Sequence, residues 1–583
     1  MNSFLDRNYL SMLQKPTLVI LLILFLGCQE SPNHTKDLEK QFAQNSHINA
    51  PDMNQQTLEN LELLGRVWGF LKYHHPEVAS GNRQWDFEFF AFYPIYMSAK
   101  STQERDQILI RWIEDLGAIP KCKSCDKESK NVLIKPNHSW MKGTNISQEL
   151  REKLEYIYDN RFQKKQHYVS LKAYIKNPEF TNEKPYLDIS YDDSGYALLA
   201  LFRYWNIIHY FYPSVYLTDT PWDDVLSKYI PIFLSLDNEL DYEKAILQLT
   251  AEIDDTHAML VKGADKITEW RGQYHASIRA SFIKDQFVVT EYLNSSLQSE
   301  LKEGDVITYI NGNLLQDLVE KNRPFYAASN EASFKKKIAK NLLRAPKKTI
   351  EVRYTRGDQE LSTELTLYLK SELNLVQWSE KVLSNKFRIL NGNIGYIPVV
   401  SVEDRDIKTL KKECKNTEGI IIDLRNYPGT LQLIYQFAPY FMTTTKQFMT
   451  FTQGNPKNPG EFYFGEPLKF SKNKNAYTKK VVLLVNEKTQ SMGEFAAMAY
   501  QAGHNTVIVG SQTAGADGDV SLIHLPGGMD TYISGIGIYY PDGKETQRVG
   551  IKPDYEVYPT VEGIQQGKDE LLEFAIKLIQ QKP

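Results

Sequence analysis

Two side chains in this 583-residue chain could carry covalent chemistry at neutral pH, a serine at a turn and a histidine far upstream of it. Ser491 lies in VVLLVNEKTQSMGEFAAMAY (481–500), where an apolar, β-rich run stops at a polar turn and a helical segment begins near Met492. The first N–H groups of a helix lack intrahelical acceptors and favour developing negative charge. Nucleophile elbows of hydrolases have this layout. The same residues spell a capping box, with Glu494 three positions after Ser491, so the serine could equally be only a helix cap.

The histidine emerges from an internal duplication. LGRVWGFLKYHHPEVASGNRQWDFEFFAFYPIYM, from Leu64, and LFRYWNIIHYFYPSVYLTDTPWDDVLSKYIPIFL, from Leu201, match at one constant offset: Arg66/Arg203, Trp68/Trp205, Tyr73/Tyr210, Pro76/Pro213, Trp85/Trp222 and Asp86/Asp223. Each copy reads as an aromatic-rich helix, a loop after the proline, and further helix. A period this long is a duplicated module, and aromatics at such spacing are core before they are a ligand cage. The copies diverge at their ends, where Pro120 of the first stands opposite His257 of the second. An imidazole with a pKa near 6.5 suits general-base work. His74 and His75, in a loop of copy one, carry no such signal.

The remaining reactive types point away from metals and thiols. Cys122 and Cys125 form PKCKSC, and Cys414 stands alone in KKECKN. No thioredoxin-like βαβ pattern flanks the pair, and no second C-x-x-C supplies two more zinc ligands, so a structural disulfide is favoured and no metal or cofactor is expected. A net charge of −4 gives no reason to expect a nucleic-acid partner. Composition, 42% hydrophobic and 24% charged, is that of a globular protein of several domains.

The elements that must position Ser491 and His257 divide the chain. Arg7 and Lys15 precede the apolar run TLVILLILFLG, too short to span a bilayer comfortably, as in a signal-peptide h-region. It ends at Cys28, resembling the lipobox of bacterial lipoproteins, whose cysteine is lipidated; Phe25 and Leu26 are bulkier than that motif usually shows. The expected order is a signal peptide (1–28), a polar tether (29–55), helical copy one (56–180), helical copy two with His257 (190–265), a small β domain (270–372) and an α/β core (385–578). In the β domain LKEGDVITYINGNLLQDL resembles the carboxylate-binding loop and strand core of PDZ domains, with Leu301, the Gly304-Asp305 turn and the Asn311-Gly312 hairpin turn matching. Such domains capture extended peptide ends.

Together these stretches resemble the tail-specific (C-terminal processing) serine peptidases, whose distant relatives include the tricorn core protease. The likeness covers about residues 190–560. It rests on Asp423-Leu424-Arg425-Asn426-Tyr427-Pro428-Gly429 for the D-L-R-N-x-x-G turn, Ser491-Met492-Gly493-Glu494 for S-x-[SG]-E, and Gly550-Ile551-Lys552-Pro553-Asp554 for G-[IV]-x-P-D. It implies a multidomain α/β protein with a ClpP/crotonase-like peptidase core. In that family the base is a lysine in T-x-G-K-G, but here Ala516 occupies its place. The tricorn-like branch instead takes its base from an upstream [ST]-H pair, for which Thr256-His257 stands. The resemblance then implies a Ser491–His257 site, an orienting group among Gln547, Glu545 and Thr256, and oxyanion donors at the Met492 and Gly429 amides. Thr430 stands where the family often has a second glycine. Should His257 not serve as the base, Lys488 and Lys544 are the alternatives.

Three functions follow as expectations. The first is an exported serine endopeptidase, anchored by a lipid on Cys28, that captures a peptide or protein through its PDZ-like domain. The second is a catalytically inactive lipoprotein binding a peptide or small ligand on the same fold. In the third the duplicated aromatic module binds glycans or cell surfaces, which requires exposed aromatics.

Overall fold

The computed structural model describes residues 32–125, 129–143, 145–297, 299–384 and 386–581. The expected signal segment and Cys28 lie outside the described residues. The stretch read as a tether enters them as helix α1 (Pro32–Phe42) and is packed down. Leu38 and Phe42, four apart on one helix face, are buried, and the Phe42 ring meets Phe90 at 5.8 Å. The Ser46 N–H donates to Asp193 at 2.8 Å. A polar composition concealed this two-residue apolar face.

Helices α2 (Gln55–His74) and α3 (Trp85–Met97) form copy one, and α4 (Ser194–Phe211) and α5 (Trp222–Phe233) form copy two. Asn54 caps α2 and Asp193 caps α4, and each of these helices ends just before a proline. Within each copy two tryptophans exchange indole–carbonyl hydrogen bonds: Trp68 with Trp85 at 3.3 and 3.0 Å, Trp205 with Trp222 at 2.9 and 3.0 Å. All four indoles are buried, so the repeat's tryptophans offer no aromatic glycan-binding surface. The two copies are not separate modules, because α2 and α4 contribute to one continuous apolar core. Cys122 and Cys125 form a disulfide, with Cα atoms 5.7 Å apart.

After copy two comes β1 (Leu260–Lys262), then an antiparallel domain with β2 (Tyr274–Ala276), β3 (Ile278–Ile283), β4 (Gln286–Tyr292), β5 (Val306–Ile310), helix α6 (Glu331–Leu342), β6 (Thr349–Arg356) and β7 (Gln359–Leu369). The strand order is β2-β7-β6-β5-β4-β3, so β3 is the edge strand at one end of the sheet, with α6 packed beside it.

The last domain is a six-stranded sheet of β8 (Arg388–Leu390), β9 (Ile394–Pro398), β10 (Gly419–Asp423), β11 (Lys480–Val485), β12 (Thr506–Gly510) and β15 (Tyr555–Glu556). Pairing follows that order, parallel except at β8–β9. Every residue of Gly419–Asp423 and Val481–Val485 is buried, as expected for strands covered on both faces. Helix α7 (Met492–Gln501) covers one face and α8 (Glu570–Gln580) the other. A separate hairpin, β13 (Val520–Leu525) and β14 (Met529–Ser534), pairs antiparallel and recruits β1 as its third strand. The whole is a mixed α/β, multidomain protein.

Candidate active site

The site forms at the carboxyl end of β11, where open parallel sheets place ligands. Ser491 links β11 to α7 with φ 55° and ψ −122°, a left-handed backbone conformation for a residue with a Cβ. Such a conformation costs on the order of 1–3 kcal/mol and persists only where surroundings enforce it. A simple helix cap takes an extended backbone, as Asn54 and Asn238 do here, so the strain is unexplained by capping.

The enforcing contacts are visible. The Ser491 N–H donates to Ala516 O at 3.0 Å, and Ala514 N donates to Thr489 O at 2.9 Å. Glu494, fully buried, accepts from Thr513 Oγ1, Gly515 N at 2.8 Å and Ala516 N at 3.0 Å. Burial raises its pKa, and these donors hold it back. Glu494 thus folds the 513–516 loop onto the elbow. Ala516, where the family resemblance expects a lysine, is buried and held by its backbone on both sides.

His257 arrives from the other direction. β1 pairs with β14 through Thr531–Leu260 and Asp530–Lys262, bringing the end of copy two against the hairpin. There His257 Nδ1 lies 2.9 Å from Ser534 Oγ, which donates to Asp255 Oδ1 at 3.0 Å. Asp255 also accepts from the His257 N–H at 3.0 Å and the Ser534 N–H at 2.6 Å, and lies 3.9 Å from Nδ1. A carboxylate thus orients the imidazole through a hydroxyl. Nδ1 carries the proton in that chain, leaving Nε2 able to accept one. Burial lowers the His257 pKa, with Asp255 opposing and Lys337 and Lys336 reinforcing.

The three orienting candidates lie elsewhere. Gln547 Nε2 donates to Tyr212 Oη at 3.3 Å and Ser329 Oγ at 3.4 Å. Glu545 accepts from Tyr539 Oη at 3.4 Å and lines a groove of about 800 Å³ beside α7, with Phe448, Met498 and Tyr540. Thr256 Oγ1 donates to Ala514 O at 3.1 Å, so it clamps the histidine segment to the nucleophile's loop without touching the ring. Asp255 and Ser534 were missed. The carboxylate two residues before the histidine was visible in the sequence, but its bridge to Ser534 was not.

Two further expectations are corrected. The Met492 amide opens α7, but the Gly429 amide donates to Val399 O at 2.9 Å and is not available to an oxyanion in this conformation. Gly429 is required by close approach, since a Cβ there would come within 2.5 Å of Val402 O. Leu301 is fully buried in the β domain's core, and Gly304 packs on the Gln565 side chain, so neither presents a side-chain surface to a ligand in this conformation. Of the alternative bases, Lys488 and Lys544 are exposed, and Lys544 pairs with Asp542 at 2.7 Å. The cations nearest the site come instead from α6. Lys337 Nζ donates to Ala258 O at 3.1 Å and Ala327 O at 2.6 Å, and burial lowers its pKa to about 7. Among the described residues no hydrogen bond joins Ser491 to His257.

The model of peptidase family S41 matches residues 393–557. A carboxy-terminal-processing protease of Bartonella bacilliformis is 24% identical over 197 residues, 32% of this chain and 43% of that protein. The carboxy-terminal processing protease CtpA of Bacillus subtilis is 28% identical over 169 residues, 28% of this chain and 34% of that one. The match therefore spans less than half the length of either relative. Among solved structures, mature CPAF complexed with lactacystin superposes with a TM-score of 0.52 at 12% identity, over 66% of this chain and 98% of that one, which shows a shared fold.

Proposed function

We propose that this chain, which belongs to peptidase family S41 through residues 393–557, is a serine endopeptidase in which Ser491 attacks the peptide carbonyl and His257 is its general base. The observation that carries this is the strained Ser491 backbone at the start of α7, combined with an imidazole oriented by Ser534 and Asp255. In the cycle, His257 Nε2 takes the Ser491 proton as Oγ adds to the carbonyl, then delivers it to the amine. The C–N bond breaks to leave the acyl-enzyme, which water, deprotonated by the same imidazole, hydrolyses. Met492 N–H supplies one oxyanion donor, and the second requires the 426–430 turn to release the Gly429 amide from Val399 O. One such donor is worth about 3 kcal/mol in the transition state.

The β domain is read as PDZ-like and the final domain as ClpP/crotonase-like. The open sheet end at β3, flanked by α6, is where an extended peptide would add as a strand. The tricorn-like serine–histidine variant fits the absence of a lysine at Ala516. Export and a lipid anchor on Cys28 complete the proposal, checked by mass spectrometry of the mature N-terminus from the membrane fraction.

The decisive experiment is fluorophosphonate labelling of the full chain. The wild type should label, Ser491→Ala should not, and His257→Ala should slow labelling by about 10⁴-fold. Unchanged labelling in His257→Ala would exclude the histidine as base, and an unlabelled wild type from pH 6 to 9 would favour a non-catalytic binding protein. Because the His257 pKa is lowered, its neutral, basic form persists below the ordinary value of about 6.5. The acid limb of kcat/KM should therefore fall below that pH.

A further inference from the structure

Positive charge gathers beside the nucleophile in excess of the carboxylates around it, and among the described residues none of them forms an ion pair with Lys336. Lys336, half-buried on α6, donates from Nζ to Gln490 Oε1 at 2.9 Å, and Gln490 immediately precedes Ser491. Lys340 follows one turn along α6, and Lys488 stands two residues before Gln490. Burial, then Lys340, lowers the Lys336 pKa to about 8, with Lys488 adding to the effect against Glu487 and Glu494. Lys340 is likewise lowered by burial and then by Arg279 and Lys488.

Glu487 and Glu494 draw on the Lys336 charge without an ion pair to it. Glu494 is occupied by Thr513 and the Gly515 and Ala516 amides, and Glu291 pairs with Arg279 at 2.8 Å. Other cations of α6 are satisfied: Lys335 pairs with Asp285 at 2.8 Å, and Lys337 is held by two carbonyls. Among the described residues, Lys336, Lys340 and Lys488 form no ion pair, and Lys336 has only a neutral amide. A half-buried ammonium left in that state is unfavourable unless an anion joins it.

We propose that Lys336, backed by Lys340 and Lys488, is a specificity-determining residue that holds a substrate carboxylate beside the scissile bond. The substrates it fits are peptides with an acidic side chain, or a free C-terminus, close to the cut. The inference rests on the serine-peptidase reading of Ser491. Because Lys336 comes from the β domain, that domain contributes directly to the cleavage site as well as presenting an open sheet end.

The test uses the full chain and a panel of fluorogenic peptides. Glu, Gln or Lys is scanned through the positions flanking the cut, and each peptide carries a free or an amidated C-terminus. Wild type should favour Glu over Gln at one position, or free over amidated ends, by about 10-fold in kcat/KM, with the preference shrinking as salt rises. Amidation erases the preference if the terminus is the ligand and leaves it if the side chain is. Lys336→Glu should invert it toward Lys-bearing peptides, and Lys336→Arg should keep it. No preference in either arm, or one unchanged in Lys336→Glu, overturns the proposal. Fluorophosphonate labelling separates the failures: a labelled enzyme without carboxylate preference sinks this inference alone, and an unlabelled wild type sinks both.

Discussion

The two helical copies begin from the same residues and end as different objects. Each uses its arginine to reach the other's aspartate: Arg66 pairs with Asp223 at 2.8 Å and Arg203 with Asp86 at 2.7 Å, the reciprocity of a two-fold interface. Equivalent positions also face each other across α2 and α4, and there the copies cannot be alike. A Cβ at Gly65 would come within 2.7 Å of Phe202, and one at Gly69 within 1.9 Å of Asn206. One copy supplies the glycines and the other the side chains that fill them. The ends differ in the same spirit. Copy two closes on Asp255-Thr256-His257, where copy one has Ala118-Ile119-Pro120. Duplication built a scaffold, and asymmetry within it delivered one histidine to one site.

The comparison can be broken first at its charges. Arg203 is fully buried against Asp86 and Glu183, whereas the partners of Arg66 are partly exposed. Arg203→Met should cost about 3–5 kcal/mol in urea unfolding, because it leaves the buried Asp86 and Glu183 to share Lys72 alone. Arg66→Met should cost about 1 kcal/mol. Equal losses would mean the copies are electrostatically equivalent.

Packing comes next. Gly69→Asn, which makes copy one resemble copy two, should destabilise by about 2–3 kcal/mol through overpacking. Adding Asn206→Gly should recover part of that loss by restoring one small and one large partner.

The divergence at the end of copy two is tested by Ser534→Ala, which cuts the link between Asp255 and His257. A lost hydrogen bond to a charged group predicts a fall of about 10–100-fold in kcat/KM. Tm should hardly move, since the Ser534 amide still binds Asp255.

The smallest effect is a pH slope. His74 is fully buried, and burial lowers its pKa to about 3. The unfolded chain, with a value near 6.5, binds the proton first, so stability is full above about 6.5 and lost as pH falls toward 3. The slope is at most about 1.4 kcal/mol per pH unit. His74→Phe, the residue copy two carries at Phe211, should flatten the dependence of Tm on pH, and an unchanged slope would assign it to other buried histidines.

Much of this was legible in the residues. The offset of the repeat exposed the odd histidine, and the β11–α7 junction exposed Ser491. The continuous apolar runs at 419–423 and 481–485 marked strands buried on both faces. The orienting group was not legible. Gln547 and Glu545 stand at the right spacing, but spacing along a chain does not say which way a side chain turns. Gln547 turns toward Tyr212 and Ser329.

The sequence by itself determined most of the elements, the motifs shared with the matched family, and Ser491 and His257 as candidates, because local periodicity, turns and motif spacing are properties of neighbours. The tertiary structure decided the rest. Only the pairing of β1 with β14 puts Ser534 between His257 and Asp255, across 279 positions. Only the docking of α6 sets Lys336 against Gln490 and Lys337 against Ala258. Those contacts join residues from different domains, and no local pattern encodes where two separately built surfaces meet.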